Sequence, residues 1–308
     1  IKLNDNTWFI IVNPISGNKY FQKKEQMIRD SFKALKNGFT VSITSFCGHE
    51  EELVQEALKK GYHKFISVGG DGTLHHVVNG IMKYGPELST KIKVGVIPIG
   101  TGNDWIKNYS IPTQINECIS ILNKEETVFQ DLGKITMNNQ VYYFSNLAGV
   151  GFDGHVVNQI NTFRKLGKLS YFIASLWSLA TYKKKKINYQ SKEKSDSNNM
   201  YLLAIGLCRY CGNGMQLTHN PNPTDGLFDI TAVKDISTLG FLWNIRKMFN
   251  QKLNEHSKVD TFKCSEISIT CDKTPTLLMQ ADGELLSFDS AHISIIPEAF
   301  QVVVPKIE

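Results

Sequence analysis

The stretch KFISVGGDGTLHHVVNGI, residues 64–81, carries a strand, a glycine loop and a helix in that order. Lys64 to Val68 is a short apolar run, and Leu74, Val77, Val78 and Ile81 then recur at i, i+3, i+4 and i+7, one face of a helix. A strand emptying into a helix is the building unit of a parallel sheet covered by helices. The loop between them is Gly69-Gly70-Asp71-Gly72-Thr73. Glycines let the backbone approach an anion, and a helix N-terminus presents amide donors and positive dipole potential. The loop therefore reads as a phosphate cradle, with Asp71 holding Mg²⁺ or polar groups around a nucleotide. Taken alone, the pentapeptide also fits a tight βα turn in which Asp71 or Thr73 caps the helix.

The same alternation extends to both sides. Trp8 to Val12 is an apolar run stopped by Asn13-Pro14, and Met27, Ile28, Ser31, Phe32 and Leu35 follow at helical spacing. Val41 to Phe46 predicts a strand, and Glu51 to Lys60 a helix closed by Gly61. Lys93 to Ile97 predicts a fourth strand, running into Gly100-Thr101-Gly102-Asn103-Asp104, and Ile115, Cys118, Ile119 and Leu122 give another helix. Asn13 to Gly17 (with Ser16), Thr44, and Gly100 to Asp104 all fall at the carboxyl ends of these strands, where open α/β sheets bind ligands. Together with the glycine loop they predict one nucleotide pocket.

After about Asp131 the texture becomes strand-rich. Asn138-Asn139 and Asp282-Gly283 each separate two apolar runs and predict hairpins. The lysine-rich segment Lys183 to Asn199 carries little to bury and reads as a mobile loop. Boundaries of 1–130 for an α/β domain and 131–297 for a β domain follow.

Composition narrows the partners. The 308 residues are 42% hydrophobic and 20% charged, which excludes a disordered or collagen-like chain. A net charge of +5 suits an anionic partner, but no interleaving of basic and aromatic residues points to nucleic acid. Six cysteines in so long a chain form no disulfide framework, and Cys208 with Cys211 lacks the second pair of a zinc ribbon. No signal-type segment opens the sequence, so a cytoplasmic location is expected. Leu169 to Tyr182 is the longest apolar stretch, too short to span a bilayer at about 20 residues. Flanked by Arg164, Lys165, Lys168 and Lys183 to Lys186, it reads either as a core helix or as a peripheral contact with the inner membrane surface.

The ordered set VNPISG, VGGDGTLHHVVNGI, IPIGTGNDW, FSNLAGVGFDG, NPTDGLFDI and MQADGE resembles the diacylglycerol kinase catalytic family, in particular its soluble bacterial lipid kinases, over nearly the whole chain. The resemblance implies a Rossmann-like (phosphofructokinase/NAD kinase-like) parallel-sheet domain, a C-terminal β-sandwich domain, and an active site in the cleft between them. It implies that a final strand, here Phe300 to Pro305, returns to the first domain, so that 298–308 completes it. ATP contacts would come from Asn13, Thr44, Gly69, Gly70, Asp71, Gly72, Thr73, Leu74, His75 and Thr101, with Ser16, Gly17, Gly102 and Asp104 in the same loops. Glu284 would be the general base toward the lipid hydroxyl. Asn222, Asp225 and Leu227 would hold a structural Mg²⁺, Asn222 and Leu227 through main-chain carbonyls. Without the resemblance, Asp282 reads as a turn residue and Glu284 as a solvated strand residue.

The implied reaction moves the γ-phosphoryl of ATP to a lipid such as diacylglycerol, presented at a membrane surface. An NAD kinase or sugar kinase sharing the glycine loop is the competing enzyme, and a catalytically silent lipid-binding module the competing non-enzyme. A homodimer remains compatible with the sequence.

Overall fold

Five consecutive residues, Trp8 to Val12, are buried, the signature of a strand covered on both faces. In the computed structural model, which describes residues 6–163, 177–237, 240, 243–244, 247, 250, 252–271 and 276–306, the chain divides into two units. One comprises Ile1–Asp131 with Pro297–Glu308, the other Leu132–Ile296.

The first unit follows the predicted alternation: β1 (Trp8–Val12), α1 (Ser16–Phe32), β2 (Phe39–Ile43), α2 (His49–Lys59), β3 (Lys64–Gly69), α3 (Asp71–Tyr84), β4 (Lys93–Pro98) and α4 (Ile115–Leu122). Its strands are parallel in the order β4-β3-β1-β2. Helix α1 starts earlier than its apolar spacing suggests, with Gly17, Asn18 and Lys19 left-handed in its first turn. It buries Phe21, Ile28 and Phe32, and Leu35 just beyond its end is buried too, so the expected face is the inward one, with Met27 at its exposed margin. At the amino ends of β3 and β4, Lys64 and Lys93 both pair with the Glu125 carboxylate, at 2.7 and 2.8 Å. Lys64 is buried, and a buried ammonium needs such a partner.

Strand β5 (Thr127–Met137) leads into the second unit, which contains β6 (Gln140–Phe144), β7 (Leu147–Gly151), α5 (Phe152–Phe163), β8 (Lys185–Gln190), β9 (Ser195–Gly206), β10 (Phe228–Lys234), β11 (Val259–Cys264), β12 (Glu266–Thr270), β13 (Leu277–Ala281) and β14 (Glu284–Phe288). The pairings are antiparallel: β14-β13-β7-β9-β8-β12 in succession, with β10 bridging β9 and β11. Both asparagine–asparagine and aspartate–glycine hairpins form, with Asn138, Asn139, Asp282 and Gly283 all at positive φ, as a two-residue loop between right-twisted strands requires. The last strand, β15 (Ser290–Val303), pairs antiparallel with β12 through Ser290 to Ser294, and its Gln301 and Val302 pair in parallel with Lys93 and Val94 of β4.

One expectation fails. Lys183 to Asn199 is no mobile loop: β8 and β9 pair from Lys185↔Met200 to Gln190↔Ser195. Ile187 and Tyr189 are buried on alternate positions among the lysines, and backbone pairing supplies what the composition lacks. Most of Leu169 to Tyr182, and the basic residues Arg164, Lys165 and Lys168 before it, lie outside the described residues. Among the described residues no helix is long and apolar enough to cross a membrane. All six cysteines are free.

Candidate functional site

In the first unit the four loops are joined to one another at the carboxyl ends of the strands. The Gly69 carbonyl accepts the amides of Ile99 and Gly100, at 2.9 and 3.1 Å, and so carries the loop after β4 onto the end of β3. A Cβ on Gly100 would lie 2.5 Å from Gly70 Cα, and one on Gly17 would lie 1.8 Å from the Ile99 carbonyl oxygen. Backbone meets backbone at both places, and a side chain would part the loops. The Asn13 amide donates to the Val68 carbonyl at 2.9 Å, and the Thr44 amide to the Val12 carbonyl at 2.9 Å. Each loop is thereby held by the neighbouring strand's last residues.

Asp71 has a role that the sequence understated. Its Oδ2 accepts the Asp104 amide and its Oδ1 the Trp105 amide, both at 3.1 Å. The carboxylate thus staples the Gly100–Asp104 loop to the start of α3, where the cap residue is Gly70 and no side chain caps the helix. Asp104, buried itself, pairs with Lys107 at 2.5 Å. Both carboxylates are thus engaged within the protein, Asp104 buried and Asp71 partly exposed.

The cradle fits a phosphate. A Cβ on Gly72 would meet nothing within 4 Å, so backbone is open there to an approaching anion. Thr73 Oγ1 is buried without a hydrogen-bond partner among the described residues, tucked against Gly69, where a Cβ would lie 2.2 Å from it. Thr73 and Leu74 already donate their own amides to the Gly70 carbonyl, and the Leu74 side chain belongs to the core. His75 is buried and its ring lies beside the Asn79 amide, away from solvent. Thr101 is exposed and Gly102 partly so. The polar edge of the cradle is therefore Gly70, Gly72 and the Thr101–Gly102 turn, with Asn13 and Ser16 on the adjacent loop.

In the second unit Glu284 opens β14 with its side chain exposed. What holds it there is a feature that the sequence did not reveal. Asp282 Oδ2 accepts the Ser145 amide at 2.7 Å and its hydroxyl at 3.3 Å, while Oδ1 accepts the amides of Asn146 and Leu147 at 2.9 and 3.1 Å. In return the Asp282 amide donates to the Leu147 carbonyl at 3.0 Å. The turn before Glu284 is thus bolted to the start of β7 by charge-assisted bonds, the stronger kind.

A second tie runs through Gln280. Its Oε1 accepts the Gly283 amide at 2.8 Å, which fixes the side-chain amide so that Nε2 donates to Asp153 Oδ2 at 2.6 Å. Gly149 leaves room for this carboxyl, since a Cβ there would lie 2.0 Å from Asp153 Oδ2. Burial pushes Asp153 up to about 6, against the lowering effect of the Gln280 bond. Asp153 lies in the FSNLAGVGFDG motif, yet only the partner 127 residues away gives it a task.

Of the set Asn222, Asp225 and Leu227, the one carboxylate is already engaged in this structure. Asp225 Oδ1 accepts the Leu227 amide at 3.1 Å and Oδ2 pairs with Lys263 Nζ at 2.7 Å. The one carboxylate of the set already has a cation, the Lys263 ammonium, and a divalent ion there would face it at close range. No group of three or more His, Cys, Asp or Glu side chains able to hold a metal occurs among the described residues.

Comparison with known proteins agrees with this architecture. Residues 7–135 match the diacylglycerol kinase catalytic domain, and residues 146–304 match the YegS C-terminal NAD kinase beta sandwich-like domain. The chain is 28% identical over 302 residues to a protein of Yersinia enterocolitica serotype O:8 / biotype 1B named "Probable lipid kinase YegS-like", covering 97% of each chain. It is 25% identical over 312 residues to a Bacillus subtilis (strain 168) protein named as a candidate lipid kinase, YtlR, covering 96% of this chain and 98% of that one. A solved structure from Bacillus anthracis str. Sterne, described as a candidate diacylglycerol kinase, shares the fold with a TM-score of 0.79 at 23% identity, covering 99% of this chain and 97% of that one. With a catalytic domain of this type followed by its β-sandwich partner over nearly its whole length, the chain belongs to the diacylglycerol kinase catalytic family and is a lipid kinase.

Proposed function

We propose that this lipid kinase transfers the γ-phosphoryl of ATP to the hydroxyl of a lipid such as diacylglycerol, taken from a membrane surface. The observation that carries the reading is the glycine cradle, where backbone at Gly72 is open. Such a site binds phosphate through fixed donors, and phosphoryl transfer depends on positioning and electrostatics more than on covalent chemistry by the protein.

The residues take the following roles. Gly69 to Thr73, with the Asn13 to Gly17 and Thr101–Gly102 loops, orient the phosphate chain. Asp71 keeps two of those loops in register. Mg²⁺ bound to the nucleotide would offset charge on its phosphates. Glu284 accepts the proton of the lipid hydroxyl as the new O–P bond forms and the bond to the leaving ADP breaks. Asp282 and Gln280 hold the turn from which Glu284 projects.

The test is Glu284→Gln, which keeps shape and removes the base. Transfer should fall by about 10²- to 10⁴-fold with ATP binding unchanged. Retained turnover would remove Glu284 from the role.

A further inference from the structure

The loop after β2 carries a feature that the phosphate cradle does not use. Phe46 is 55% exposed. Its ring lies on the His49 imidazole, with centroids 4.5 Å apart and planes at 18°. A single exposed aromatic ring is ordinary on a protein surface. This one is backed and fixed: the Ser45 amide donates to His49 Nδ1 at 3.1 Å, which sets the orientation of the imidazole beneath it. His49 in turn opens α2, and the next residue, Glu50, accepts a bond from Asn13 Nδ2 at 3.4 Å through Oε1. The aromatic pair is therefore tied to the Asn13 loop, one of the loops around the cradle.

Glu50 adds an independent sign of a missing ligand. It is 2% exposed, and its Oε2 is buried with no hydrogen-bond partner among the described residues. Burial raises its pKa. An orphaned carboxyl oxygen beside the Asn13 loop is what a polar group entering there would satisfy.

We propose that Phe46, backed by His49, is the stacking surface for the purine base of the nucleotide whose phosphates lie on the Gly69–Thr73 loop. The inference rests on the reading of this chain as an ATP-dependent kinase. The sheet order sets the scale: β2 is two strands from β3, about 10 Å at the usual strand spacing. That separation is of the order of the span from phosphate chain to base in an extended nucleoside triphosphate. A flat aromatic face binds any purine by stacking, so it supplies affinity for the base, while the cradle supplies affinity for the phosphates.

Calorimetric titration of the full chain with MgATP and, separately, with inorganic tripolyphosphate tests the idea. Phe46→Ala should weaken ATP about 10-fold, Phe46→Trp should stay within about twofold of the parent, and both should leave tripolyphosphate unchanged. ATP binding unaltered by Phe46→Ala would overturn the stacking role while leaving ATP use intact. Equal weakening of ATP and tripolyphosphate would overturn it as well, because the loop and not the base contact would then be responsible. A parent protein that binds neither ligand would instead bring down the kinase reading on which the proposal stands.

Discussion

Replacing Asp282 with Asn probes the bolt between the turn before Glu284 and β7 without changing the size of the side chain. The carboxylate accepts three backbone amides and the Ser145 hydroxyl, with Oδ1 taking two of the amides and Oδ2 the third. An asparagine can keep its carbonyl oxygen on Asn146 and Leu147, but its amino group then faces the Ser145 amide, donor against donor. One charge-assisted bond is lost, the others lose the charge, and one backbone amide is left without an acceptor. At about 1.5–3 kcal/mol for a bond to a charged group and about 1–3 kcal/mol for an orphaned donor, the cost should be roughly 3 kcal/mol. For a domain of this size that corresponds to a fall in Tm of about 6–12 °C. Thermal unfolding by differential scanning fluorimetry reads the first quantity. Steady-state kinetics at a temperature where the variant is folded read the second, a loss in kcat with the ATP affinity retained. Parental Tm and parental kcat in Asp282→Asn would refute the argument that this carboxylate positions Glu284.

Three further outcomes follow from particular contacts. Gly100→Ala places a methyl 2.5 Å from Gly70 Cα, so ATP affinity measured by calorimetry should drop by at least about tenfold while the second unit unfolds as before. Asp153, raised to about 6 from the ordinary 3.8, binds more protons in the folded than the unfolded protein across that interval. Its contribution to stability is complete below about pH 4 and lost as pH rises through 6, on the order of 3 kcal/mol, and Asp153→Asn should flatten that part of the denaturation profile. Because Lys263 already neutralises Asp225, EDTA should leave the Tm of the parent unchanged, whereas Lys263→Met should lower it and make it respond to added Mg²⁺. A parental Tm that falls on chelation would contradict the assignment of that charge to Lys263.

The parts of the fold that rest on short-range pattern were legible. The strand–loop–helix at 64–81 and the hairpins at Asn138-Asn139 and Asp282-Gly283 depend on spacing within a few residues, and those spacings were in the sequence. The β8–β9 hairpin was not, because its lysines and serines carry no apolar face long enough to register. Its alternation survives only at Ile187 and Tyr189, and its stability comes from pairing with the interior strand that follows. Side-chain roles that span the chain were illegible for a related reason. Nothing local at Asp282 indicates that its acceptors serve residues 145–147, and nothing local at Asp71 separates a metal ligand from a clamp on the amides of Asp104 and Trp105. Likewise, Lys263 lies on β11, 38 residues from the Asp225 with which it pairs, so nothing local to the 222–227 loop shows that pairing.

The most direct measurement of the central claim is transfer of label from [γ-³²P]ATP in parallel incubations with NAD and with mixed micelles carrying a panel of lipid alcohols, the products identified by mass spectrometry. The account predicts a phosphorylated lipid, diacylglycerol foremost, with label absent from the NAD arm and lost from the lipid arm in Glu284→Gln. Label appearing in NAD and in no lipid, or lipid phosphorylation undiminished in Glu284→Gln, would contradict it.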